Sequence, residues 1–281
     1  MDFENEFPTG FGKGAKMTNN IEEFLDNQDI NGNELFYDEE FNPIIVRYAG
    51  RELLPKGCQK YWAHKESLFS RFDEGIKLTS ELWYSVTPEN IAKHCASYVF
   101  QHYNLNENTG ILDVFAGGGG NSIQFANYCN NVVAIDLKAD HLFCLEENAK
   151  LYQVDQNITA LQKDWTAIDD DYLLALKNDY NIDFIFSSPP WGGPKYLKKP
   201  NYDLERNLKP FSLTKLLMGF IKITKNIGLF LPRNSDLSQL NEITKNLFGE
   251  DSKCFVADVS LNGRKKGYCC FWNDSTHELK N

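Results

Sequence analysis

From residue 110 onward the chain alternates between short apolar runs and helical patterns, and this alternation restricts its fold more than any other feature. The apolar runs cover 111–115, 132–135, 158–161, 182–186 and 227–231. Helical patterns fall after them, at 121–128, 138–152, 172–177, 212–225 and 236–248. Runs of four to six residues without polar alternation read as strands buried on both faces, and strands separated by helices pair in parallel. Two closing runs, 254–260 and 268–272, read as an antiparallel pair joined by a turn-rich loop at 262–267. The expectation is an α/β protein with a seven-stranded, mainly parallel sheet covered by helices.

The segment before this sheet has another character. Residues 60–72 read as one helix with Tyr61, Leu68, Phe69 and Phe72 on a shared face. A second helix is expected from Thr87-Pro88-Glu89 to residue 103, with Thr87 as N-cap and Pro88 at the first helical position. Residues 1–40 lack sustained periodicity and read as a disordered arm, with a helical turn at 21–25. The expected domains are an acidic arm (1–40), a helical extension (41–105) and the sheet domain (106–276).

Charge separates these parts. Of the formal net charge of −10, the first 41 residues carry −9, from 11 acidic and 2 basic side chains. The rest is nearly balanced, which disfavours broad binding to a nucleic-acid backbone but leaves room for a small basic pocket. Seven scattered cysteines without a Cys-x-x-Cys pair, and no signal peptide, suggest a reducing compartment. The five histidines show no metal-ligand spacing, so no metal is expected. No apolar stretch approaches the ~20 residues that span a bilayer, so no membrane is expected either.

The first strand of the sheet runs into Ala116-Gly117-Gly118-Gly119-Gly120-Asn121. Gly117 and Gly119 allow a sharp turn and close approach of a ligand to the backbone, and a helix N-terminus with free amide donors follows. Such loops serve several cofactors. Asp113, inside the strand, can reach an ammonium group, and Asp136, ending the second strand, can accept from both hydroxyls of a ribose. Together they favour S-adenosyl-L-methionine. An NAD fingerprint is not matched, because Asn121 and Ser122 follow Gly120. Asp164, after the third strand, stands where an acid commonly faces an adenine amino group.

After the strand at 182–186 comes Ser187-Ser188-Pro189-Pro190-Trp191-Gly192-Gly193-Pro194. The prolines fix φ and restrict the residues before them, so the loop can hold one acceptor and one flat ring in a set relation. It suits methylation of a planar amino group. Ser188 and the Pro189 backbone would hold the amino hydrogens, and Trp191 would supply a face for the base. The demand is mainly positioning.

The Ser-Pro-Pro-aromatic string resembles the acceptor motif of class I methyltransferases that act on exocyclic amino groups. With the segment from Asp113 to Ala126, it more closely resembles the trimethylguanosine synthase family. Further matches in order include Lys60-Tyr61-Trp62, Leu68 to Leu78, Ser85 to Glu89 and Phe230 to Asn234, so the resemblance spans about 55–275. It implies conversion of the 7-methylguanosine cap of small nuclear and nucleolar RNAs to 2,2,7-trimethylguanosine. It further implies Trp191 stacked on 7-methylguanine, Ser188 and Asn148 beside the guanine, and Lys60, Tyr196 and Arg233 on the cap phosphates. Phe69, Thr87, Asp113, Asp136 and Asp164 match the family's cofactor pocket. Lys195, Lys198 and Lys199 extend a basic rim. Nuclear location, with the nucleolus included, follows from the family's substrates, and the arm is a candidate contact for small ribonucleoprotein proteins. The residues alone leave open an adenine-N6 or rRNA guanine-N2 methyltransferase, and a non-catalytic cap-binding protein.

Overall fold

Ile, Val, Leu and Phe fill the predicted strands, and side chains that are bulky at Cβ or aromatic fit a pleated surface covered on both sides. The computed structural model describes residues 27–193, 196–197, 200–261 and 263–273. In chain order it contains β1 (Glu34–Tyr37), β2 (Pro43–Arg47), α1 (Gln59–Trp62), α2 (Lys65–Leu68), α3 (Leu82–Ser85), α4 (Glu89–His102), β3 (Gly110–Val114), α5 (Ser122–Ala126), β4 (Asn131–Asp136), α6 (Ala139–Tyr152), β5 (Ile158–Gln162), α7 (Asp170–Asp179), β6 (Ile182–Ser187), α8 (Leu213–Ile221), β7 (Ile227–Pro232), α9 (Leu237–Phe248), β8 (Phe255–Leu261) and β9 (Arg264–Trp272).

Seven of these strands make one sheet in the order β5-β4-β3-β6-β7-β9-β8, parallel except that β9 runs antiparallel to both β7 and β8. This is the expected fold class. Successive side chains along a strand point to opposite faces. Ile111, Val132, Phe184 and Phe186 accordingly pack on one side, with α4, α5 and the N-terminal extension. Leu112, Val114, Val133 and Ile185 pack on the other, with α7, α8 and α9. The chain winds from β3 outward through β4 to β5, then returns to β6 on the other side of β3. The crevice at the carboxyl ends of β3 and β6 is therefore the switch point where open α/β sheets bind ligands.

Several expected boundaries shift for physical reasons. The helix expected over 60–72 is broken into α1, α2 and a 3-10 turn at Phe72–Glu74. Phe69 takes an extended backbone, and the amide of Ser70 donates to the buried carboxylate of Glu89 at 2.5 Å, a tertiary bond that outweighs helix continuity. Leu68, Phe69 and Phe72 are buried all the same. Pro88, in extended conformation, occupies the N-cap of α4, and the Thr87 hydroxyl accepts from Asn121 Nδ2 at 3.2 Å instead. The 262–267 loop is tighter than expected, since Arg264 to Gly267 belong to β9.

The boundary expected at residue 40 falls inside the β1–β2 hairpin. Glu34 pairs with Arg47 at 2.5 Å and with Lys77, and the Phe36 ring lies 5.1 Å from Phe143 on α6. Residues 1–26, with the turn expected at 21–25, lie outside the described residues, as do Lys195, Lys198 and Lys199. Among the described residues, no helix is long and apolar enough to cross a membrane, and no group of three or more His, Cys, Asp or Glu could hold a metal ion. The cysteines form no disulfide.

Candidate active site

A cleft of about 490 Å³ opens at the switch point. One wall is the loop after β3. Phe115, Gly117 and Gly119 take φ of 65°, 54° and 87°, a left-handed backbone that glycine adopts freely and phenylalanine does not. The amides of Ala116 and Gly119 donate to Ile135 and Ala116 carbonyls at 3.0 and 3.1 Å, which closes the turn. A Cβ on Gly120 would lie 2.9 Å from the Thr87 carbonyl oxygen, so the loop is seated directly against the segment before α4. Strain held at such a turn is a feature of ligand sites.

Asp136 ends β4 in the floor of this cleft. Its carboxylate accepts from the Gly117 amide at 2.9 Å and the Lys138 amide at 3.0 Å, and His141 Nδ1 lies 3.4 Å away. Burial alone would raise its pKa, but the bonds from His141, Lys138 and Gly117 outweigh that and hold it below the ordinary carboxylate value. Glu81 stands on the same side, 3.9 Å from His141 Nε2 and paired with Lys138. Both Glu81 and His141 line the cleft.

Asp113 lies behind the glycine loop and is completely buried. One oxygen accepts from the Ser122 hydroxyl at 2.5 Å, and the other has no partner. Burial, with the nearby charge of Asp136, pushes its carboxyl up to about 7 against the bond from Ser122.

The loop after β6 forms the opposite wall. The buried Ser187 hydroxyl donates to the Val114 carbonyl at 2.9 Å, tying the ends of β6 and β3 together. Ser188, Pro189, Pro190 and Trp191 follow into the cleft. The Trp191 ring is fixed on three sides: its Nε1 donates to the Phe230 carbonyl at 3.3 Å, and Phe230 and Tyr196 meet it edge-on at 5.1 and 5.2 Å. Tyr202 donates to the Trp191 carbonyl at 3.2 Å. A second cleft, of about 440 Å³, adjoins the first. Tyr61, Tyr84, Ser85, Val86, Trp191 and Tyr196 line both, so Trp191 stands at their junction.

The expected site residues separate into three groups. Ser188, Pro189, Trp191, Tyr196, Thr87, Gly117 and Asp136 line the first cleft, and Arg233 lines the second. Asp113 and Gly119 lie just behind the wall, and Lys60 stands beside it with Nζ 4.9 Å above the Tyr61 ring. Phe69, Asn148 and Asp164 line neither. Phe69 is core, 6.2 Å from the Tyr152 ring. Asn148 is fully buried, accepts from the Lys77 amide at 2.8 Å and donates to the Lys77 and Gly118 carbonyls at 3.0 Å each. It anchors the glycine loop rather than facing a base. Asp164 is exposed and caps a turn, accepting from the Thr166 amide at 2.8 Å and hydroxyl at 2.7 Å. Glu81, Tyr84 and His141 also line the first cleft, although no motif in the sequence marks them. His141 had one signal, its place on the first turn of the helix after Asp136.

A family model described as RNA cap guanine-N2 methyltransferase matches residues 108–275. This chain belongs to that family. Its cofactor is S-adenosyl-L-methionine, and it is a cap guanosine-N2 methyltransferase. The trimethylguanosine synthase of Saccharomyces cerevisiae is 44% identical to this methyltransferase over 216 residues, covering 76% of this chain and 67% of the relative. The trimethylguanosine synthase of Schizosaccharomyces pombe is 36% identical over 222 residues, covering 78% and 87%. A solved structure from Porphyromonas gingivalis W83 that carries a provisional methyltransferase name is similar in fold, with a TM-score of 0.56 and 14% identity, over 79% of this chain and 50% of that one.

Proposed function

We propose that this methyltransferase converts the 7-methylguanosine cap of small nuclear and nucleolar RNAs to 2,2,7-trimethylguanosine, and that the base is held where the two clefts meet. The observation that carries this is Trp191, whose ring is fixed at the junction between an acidic cleft and a basic one. A nuclear location would follow from such substrates.

The residues fit S-adenosyl-L-methionine. Asp113 presents a buried oxygen without a partner, suited to a nearby ammonium group, and Asp136 keeps an ionised carboxylate at the cleft floor, suited to ribose hydroxyls. Gly117 and Thr87 would bound the same ligand. When bound, the cofactor supplies a sulfonium methyl group for in-line displacement by an amine. The chain's own task is to aim that amine. Ser188 and the Pro189 backbone would accept the hydrogens of the exocyclic nitrogen and leave its lone pair toward the methyl. Trp191 would stack on 7-methylguanine, whose fixed positive charge adds a cation–π attraction of about 0.5–2 kcal/mol. Lys60, Tyr196 and Arg233 would hold the triphosphate bridge.

Methyl transfer to RNA carrying a 7-methylguanosine cap, compared with the same RNA carrying an unmethylated cap, tests this reading. The cation–π attraction alone predicts a preference of roughly 2- to 30-fold in kcat/KM. Equal activity on both would refute the role of the charged base. Trp191→Ala is expected to lose cap turnover while keeping most of its affinity for S-adenosyl-L-methionine in calorimetric titration.

A further inference from the structure

The second cleft is more basic than a cap alone requires. His64, Arg233, Arg264, Lys265 and Lys266 line it, and no carboxylate does among the described residues. That is an unusual concentration in a chain of net charge −10. Arg233 follows directly on β7, beside Trp191 and Tyr196, at the end where the triphosphate bridge would lie. Arg264, Lys265 and Lys266 come from the β8–β9 hairpin. Pro232 pairs with Gly267 in the β7–β9 register, so the start of β9 runs beside the end of β7.

The three hairpin cations are not equivalent. Lys265 Nζ pairs with Asp258 at 2.6 Å and lies 3.8 Å above the Tyr268 ring, so its charge is already used within the hairpin. Arg264 and Lys266 both line the second cleft, are exposed, and have no carboxylate partner among the described residues. Two cations without a carboxylate partner among the described residues, on a cleft that Trp191 also lines, suit phosphates beyond those that Lys60, Tyr196 and Arg233 would engage.

We propose that Arg264 and Lys266 bind the backbone phosphates of the first nucleotides after the cap bridge, making the second cleft the path of the RNA chain. This rests on the cap reading above and adds to it a second substrate determinant: a polynucleotide downstream of the cap, read by charge and without base specificity. Phosphate contacts to a single strand each contribute roughly 0.7 to the slope of log affinity against log salt.

The test compares two substrates, a 7-methylguanosine cap dinucleotide and a short capped RNA, with the whole chain and with the double variant Arg264→Glu, Lys266→Glu. The expected result is a KM for capped RNA that rises by about tenfold or more in the variant, with a salt slope shallower by roughly 1 to 1.5. Its kcat/KM on the cap dinucleotide should be unchanged, which also shows that the variant is folded. An unchanged KM for capped RNA would overturn the proposal, and so would an equal loss on both substrates. Failure of the unaltered protein to methylate the cap dinucleotide would instead refute the cap reading itself.

Discussion

Asp113 and Asp136 stand near the carboxyl ends of neighbouring parallel strands, yet their surroundings drive them to opposite protonation behaviour. Asp136 is held low by its three donors, whereas Asp113 has one donor and is pushed up to about 7 by burial. For Asp113 the folded value lies above the ordinary value of 3.8, so the folded state binds the proton more tightly than the unfolded chain does. Its contribution favours folding below about pH 4 and is lost as the pH rises toward 7. Asp113→Asn, which keeps the shape without the charge, should therefore gain stability relative to the unaltered protein between pH 5 and 8. The gain is on the order of 1–4 kcal/mol at most, read as the difference in urea midpoints. The same variant should bind S-adenosyl-L-methionine more weakly. A stability difference that does not vary with pH would show that Asp113 is ionised in the free protein. The places of both aspartates near the carboxyl ends of β3 and β4 follow from the apolar runs that precede them, and only Asp113 stands before the glycine loop. The role of Asn148 was not legible in the sequence, because its partners lie 71 and 30 residues away and only the fold brings them to it.

At the scale of elements, one buried carboxylate joins three of them. Glu89, at the start of α4, accepts from the Ser70 amide at 2.5 Å, the Ser70 hydroxyl at 2.9 Å, Lys93 Nζ at 2.5 Å and the Tyr152 hydroxyl at 2.6 Å. Burial would raise its pKa, but Lys93, Ser70 and Tyr152 outweigh it and hold the carboxyl below its usual value. A depressed folded value means that the stabilisation is present above the unfolded pKa and is lost as the pH falls through the folded one. Glu89→Gln is expected to cost about 1–3 kcal/mol at neutral pH, because a neutral amide with one acceptor oxygen replaces a buried carboxylate that serves the Ser70 amide, the Ser70 hydroxyl and the Tyr152 hydroxyl. In thermal melts the gap to the unaltered protein should narrow below about pH 4.5. A constant gap would show a packing effect alone. This cluster also explains what the sequence concealed. The apolar spacing over 60–72 suits a helix, but the chain breaks it first at Ala63–His64 and again at Phe69, where Glu89 takes the Ser70 amide. In the sheet no distant group competes, and the apolar runs at 111–115, 132–135 and 182–186 match β3, β4 and β6 to within one residue at each end. The hairpin was misjudged for a different reason: Arg264-Lys265-Lys266 is polar enough to read as a loop, yet it pairs as an edge-side strand against β8.

Across the whole molecule, the N-terminal extension and the sheet share one core and one site. Val46, Leu54, Trp83 and Val99 pack in the same cluster as Ile111, Phe184 and Phe271. Tyr103 donates to the Trp272 carbonyl at 2.8 Å, linking the extension to the last strand. Tyr61, Glu81, Tyr84 and Val86 line the first cleft together with the glycine loop, and Gly118 and Gly120 leave only enough room for Leu82, Val86 and Thr87 to seat against them. A division at residue 106 would strip one whole face of the sheet of its cover and expose a large apolar patch. The fragment 106–281 is therefore expected to show no cooperative thermal transition and to bind hydrophobic dye in place of S-adenosyl-L-methionine. Adding residues 27–105 back as part of the same chain should restore both the transition and the affinity. A fragment that melts cooperatively and binds the cofactor as the full chain does would show instead that the extension is a separable roof, needed for the cap alone.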